Sequence, residues 1–120
     1  MSVLVERVSG VELGRVLRIL HVSDVHCATD KLVRVLRGEE YDLVIASGDF
    51  ECVDTAEALA NAGSDVFAIT GNMDNPAVYR KLSSMGVLLD GRIAVFDVLY
   101  IAGVGGLDFK GSVAKLKREL

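Results

Sequence analysis

Three short polar runs carry side chains suited to metal chemistry, and each follows a strongly apolar stretch. They are Ser23-Asp24-Val25-His26, Ser47-Gly48-Asp49 and Thr70-Gly71-Asn72-Met73-Asp74. Carboxylate oxygen, imidazole nitrogen and amide oxygen are the donors that hard and borderline divalent cations take. The runs are almost evenly spaced: Asp24 to Asp49 is 25 residues, and Asp49 to Asn72 is 23. Gly48 and Gly71 each precede a candidate ligand, where glycine permits a sharp exit from a strand and close approach of backbone to an ion or phosphate.

The elements that must position these runs alternate. Apolar runs at Leu17 to Val22, Leu43 to Ser47 and Val66 to Thr70 predict strands. Between them fall helices. The first is capped by Thr29 and runs through Arg37 to a stop at Gly38. The second opens on Asp54, with Glu57 three residues on, and ends at Gly63. The third opens at Asn75-Pro76 and ends at Gly86. Such a repeat predicts an α/β fold with a parallel sheet and crossover helices. Ligands in such sheets sit outside the carboxyl ends of the strands, so Asp24, His26, Asp49 and Asn72 are expected to converge. Arg92 to Phe96 and Val98 to Ala102 predict a terminal antiparallel hairpin, at the sheet margin or in a second sheet. Gly103-Val104-Gly105-Gly106 and a basic stretch from Ser112 to Leu120 follow. The leader from Met1 to Arg15 suggests no definite element.

Asp24-Val25-His26, Gly48-Asp49 and Gly71-Asn72-Met73-Asp74, in that order and each at a strand end, resemble the signature of the calcineurin-like metallophosphoesterases. The likeness runs from Leu17 to Gly106 and is strongest to the small prokaryotic phosphodiesterase-like branch. It implies the N-terminal portion of a four-layer α/β/β/α sandwich. It also implies a dinuclear site: Asp24 and His26 on one metal, Asp49 bridging, Asn72 on the second, and Asp74 behind the ligands. The two divalent ions, among Mn, Zn, Fe, Ni and Mg, would activate a hydroxide against a phosphate ester.

Two departures limit what the resemblance implies. The family completes its site with further histidines, including a Gly-His-x-His, whereas this chain has only His21 and His26. His21 lies inside the first strand and reads as a packed residue. Residues 1–120 are therefore expected to form a single, incomplete domain, with weak or partial metal occupancy. Met73 stands where phosphatase members often carry a proton-donating histidine, which favours phosphodiesters. The alternative is a catalytically silent interaction module of the same fold. A receiver-like domain phosphorylated at Asp49 is disfavoured, because Asp49 follows the second strand rather than the third.

A net charge of −4, with acids and bases interspersed, gives no general attraction to nucleic acid or membranes. The mixed leader does not resemble a signal peptide, and two cysteines do not make a secreted framework. A cytoplasmic setting is the default. Cys27 and Cys52 are expected to be free packed thiols, with a disulfide or metal ligation as the less favoured alternative, and Asp54 and Asn75 to be helix caps. The central strands are apolar on both faces, as a doubly covered sheet requires. A second copy or a companion chain is therefore expected on the open face.

Overall fold

The structure, a computed structural model, describes residues 1–10 and 14–120. Part of the Met1 to Arg15 leader, residues 11–13, lies outside the described residues. The elements run β1 (Ser2–Val8), β2 (Leu17–Ser23), α1 (Thr29–Gly38), β3 (Leu43–Ala46) and α2 (Val53–Ala60). They continue with β4 (Asp65–Ala68), α3 (Pro76–Ser84), β5 (Ile93–Phe96), β6 (Leu99–Ala102) and α4 (Phe109–Glu119).

One sheet has the order β1-β2-β3-β4. The three predicted strands are adjacent and parallel, with Leu20 opposite Val44 and Val44 opposite Val66. Their carboxyl ends therefore point the same way. Val22, Ala46 and Ala68 lie on one face of this sheet with Leu20, Val44 and Val66, against Leu32 and Leu36 of α1, Leu59 of α2 and Leu82 of α3. Fully burying each large aliphatic side chain here contributes about 1.5–3 kcal/mol. The crossover helices thus cover one face, as the strand-helix alternation requires.

β1 is the element that the sequence leaves unassigned. It pairs antiparallel with β2 along its whole length, Ser2 opposite Ser23 through Val8 opposite Leu17. Its residues through Arg7 are exposed, so no buried face imposes a clear period on its sequence. The other face of the sheet is partly covered. β5 and β6 form a separate two-stranded sheet. Phe96 of this hairpin meets Phe67 of β4 edge-on, with centroids 6.4 Å apart. His21, Ile45, Phe67 and Ile69 on that face are half-buried. His21 is a packed strand residue, hydrogen-bonded through Nε2 to Ser47 Oγ.

Helix starts depart from the sequence reading in two places. The position before α1 is Ala28, and the one before α2 is Cys52; neither caps with its side chain. Thr29 Oγ1 instead shares a 2.7 Å hydrogen bond with Thr55 Oγ1, joining the two helix starts. Asp54 lies inside the first turn of α2, and its Oδ1 accepts from Thr55 N at 3.0 Å. Asn75 does cap α3, accepting from Val78 N at 3.0 Å, with Pro76 in the first helical position. Among the described residues, no helix is long and apolar enough to cross a membrane.

Candidate metal centre at the strand ends

Three loops leave the carboxyl ends of β2, β3 and β4, and their backbones lock together. Asp24 N donates to Gly48 O at 3.3 Å, His26 N to Asp49 O at 2.9 Å, and Cys27 N to Phe50 O at 2.9 Å. The loops after β3 and β4 touch backbone to backbone. A Cβ on Gly48 would stand 2.4 Å from Gly71 N, and Gly48 has φ +91°. Only glycine meets both demands.

Asp74 clamps the second and third loops. Its carboxylate accepts from Asp49 N at 2.9 Å, Glu51 N at 2.7 Å and Gly71 N at 2.9 Å. Behind it, Asp90 accepts from Thr70 N at 2.9 Å and from Thr70 Oγ1 at 2.6 Å. The Gly-rich loop fits tightly over this pair: a Cβ on Gly105 would lie 1.9 Å from Asp90 Oδ2. Gly105 N also donates to the buried Ser112 Oγ at 2.9 Å, which ties α4 to the loop.

This locking holds an unusual backbone. Asp24, His26, Cys27, Asp49 and Glu51 all have φ between 47° and 68°, the left-handed region. Such conformations are sparse for residues with a Cβ, persist only where the surroundings over-determine them, and cluster at functional sites. The hydrogen bonds above supply that over-determination.

The side chains follow from the backbone. Asp24 and His26 are about half exposed, with His26 Nε2 3.9 Å from Asp24 Oδ1. His26 Nδ1 hydrogen-bonds Glu51 Oε2. That bond is the main reason that the imidazole pKa is raised, with the charges of Glu51, Asp24 and Asp49 adding to it. Asp49 Oδ1 accepts from Met73 N at 2.9 Å and so lies over the Gly71 loop. Asn72 is exposed on that loop, its backbone N 2.7 Å from where a Gly106 Cβ would be.

The donor types fit a divalent cation. Ligand bonds of about 2.0–2.2 Å allow one ion between Asp24 Oδ1 and His26 Nε2 at their 3.9 Å separation. The fit is partial. Among the described residues, no group of three or more His, Cys, Asp and Glu side chains is arranged to hold a metal ion. The loops are brought together, but a closed ligand shell around Asp24, His26 and Asp49 is not.

The cysteines depart from the expectation of free packed thiols. Cys27 and Cys52 form a disulfide, with Cα atoms 5.2 Å apart. The reason lies in the parallel loops: each cysteine follows its loop's aspartate by three residues, so loop pairing brings the two side by side. The same offset of 25 residues pairs His26 with Glu51 and Thr29 with Asp54. Glu51 was absent from the sequence-derived site, although this repeat points to it. Asp90 and Thr70, which support the third loop from behind, carry no comparable signal.

A parallel α/β sheet whose strand ends carry Asp-x-His, Gly-Asp and Gly-Asn-x-Asp defines a metallophosphoesterase type of chain. The profile of the calcineurin-like phosphoesterase superfamily domain matches residues 17–106, and the chain belongs to that superfamily. A search of curated proteins found no match to it, and neither did a search of solved structures.

Proposed function

We propose that the chain carries the metal-binding half of a phosphodiester-hydrolysing site. The observation that supports this reading is the left-handed backbone at Asp24, His26 and Asp49, together with the 3.9 Å separation of Asp24 Oδ1 and His26 Nε2. Asp24 and His26 would bind one divalent cation, Asp49 would lie between two, and Asn72 would bind the second. A bound cation supplies Lewis acidity toward a phosphate oxygen and toward water. Asp74 fixes Asp49 and Glu51 by their backbone N–H groups, so the ligand loops need little reorganisation on binding. Met73 carries no transferable proton, which suits esters whose leaving group departs as a stable anion.

A catalytically silent binding module is the second reading. It is favoured by the lack, among the described residues, of a three-ligand group and by the presence of only two histidines. Hydrolysis of bis(p-nitrophenyl) phosphate with Mn²⁺ or Ni²⁺ separates the two. A form that carries the further histidine ligands turns over, and Asp49→Ala or Asn72→Ala lowers its rate by orders of magnitude. The 120-residue chain alone is nearly inactive. A histidine-complete form without turnover would establish the silent module.

A further inference from the structure

We infer that Glu51 is a positioning residue for His26, holding the imidazole as its Nδ1–H tautomer with Nε2 left free toward Asp24. This rests on the metal-site reading above and extends it to a residue outside the family signature.

Glu51 is fixed at every group it has. Its backbone N–H donates to Asp74 Oδ1 at 2.7 Å, and its carbonyl accepts from Asn75 Nδ2 at 3.2 Å. Its own φ is 68°, a conformation that these contacts hold in place. The next residue, Cys52, is bonded to Cys27, the neighbour of His26. The carboxylate and the imidazole thus stand on two loops joined by a covalent bond and by the bonds from His26 N to Asp49 O and from Cys27 N to Phe50 O. Neither side chain is free to choose its partner by swinging its loop.

The two ring nitrogens meet different surroundings. Nδ1 faces Glu51 Oε2 within hydrogen-bond reach. Nε2 faces Asp24 Oδ1 at 3.9 Å, too far for a hydrogen bond. A proton on Nδ1 is therefore satisfied by a carboxylate, whereas a proton on Nε2 is left without that partner. A carboxylate accepting from the far nitrogen of a ligating histidine also fixes the ring plane and raises ligand basicity. Glu51 bonds the ring, whereas Asp24 shares its open side.

Long-range ¹H–¹⁵N correlation spectra of the histidine rings test this directly, on the 120-residue chain at alkaline pH with both rings neutral. The wild-type chain gives the Nδ1–H pattern for His26. Glu51→Gln, whose amide can accept from Nδ1–H or donate to a bare Nδ1, weakens the preference and gives a mixture of the two forms, while Glu51→Ala moves His26 toward the Nε2–H form that a free histidine side chain prefers. Titration with Co²⁺ gives an affinity about 10–100-fold lower for Glu51→Ala than for wild type. A wild-type His26 in the Nε2–H form overturns the inference on its own, whether or not the variants fold. If the tautomer behaves as stated but His26→Ala leaves Co²⁺ binding unchanged, Glu51 does position the ring and the metal-site reading fails.

Discussion

Two kinds of aspartate stand at the carboxyl end of the same sheet. Asp74 and Asp90 are each 6% exposed, and their carboxylates are filled by hydrogen bonds from within the chain. Asp24 is exposed, with its Oδ1 3.9 Å from Nε2 of the His26 ring. Asp49 gives one oxygen to Met73 N and is half-buried. The first kind is saturated by backbone N–H and hydroxyl donors, so it holds loops in place and has little left to offer a ligand. The second kind is held by its backbone and leaves carboxylate oxygen for something outside the chain. The motif resemblance already set Asp74 behind the ligands, and its three accepted hydrogen bonds give a physical reason for that position.

The largest effects should fall on the saturated pair. Asp74→Asn turns an amide N–H₂ toward a backbone N–H, and Asp90→Asn leaves either Thr70 N or Thr70 Oγ1 without an acceptor. Each should cost about 1–3 kcal/mol in urea unfolding. A loss under about 0.5 kcal/mol in either would break the distinction, since that is the range of ordinary surface changes.

Asp42 tests the middle of the scale. It accepts from Arg18 N at 2.8 Å and from the Arg15 guanidinium at 3.2 Å, at a partly exposed position. The backbone bond from Arg18 is the main reason that its carboxyl pKa is lowered, with Arg15 adding to it. Asp42→Asn should cost no more than about 1 kcal/mol at neutral pH, because solvent screens the pair. A carboxyl depressed in the folded state stabilises above its unfolded value of about 3.9. That contribution is lost as pH falls through the folded value. Unfolding curves of wild type and variant should therefore converge in acid. A gap that widens on acidification would contradict the assignment.

The parallel sheet was legible because β2, β3 and β4 are buried on at least one face and separated by amphipathic helices, so burial imprinted their pattern on the sequence. β1 was not, since Val3, Leu4 and Val5 are all exposed along an edge strand. The three ligand loops were legible through their motifs. The Cys27–Cys52 bond and the Glu51–His26 pair were also written in the chain, as the same 25-residue offset that separates Asp24 from Asp49. Reading them required treating the two loops as one paired structure. Asp90 was out of reach, because its bond to Thr70 joins residues 20 apart and Asp90 itself belongs to none of the three motifs. The helix starts misled because neither Thr29 nor Asp54 occupies the position before its helix, and Thr29 Oγ1 turns to Thr55 Oγ1 and Asp54 Oδ2 across the contact between α1 and α2.

Calorimetric titration of the 120-residue chain with Mn²⁺, with Asp49→Asn beside wild type, tests the central claim most directly. Wild type should bind weakly, with fewer histidine ligands than the family supplies. Asp49→Asn should lose that binding while melting within about 0.5 kcal/mol of wild type, since the amide oxygen still accepts from Met73 N. Asp49→Asn binding Mn²⁺ as wild type does, in a folded chain, would contradict the account.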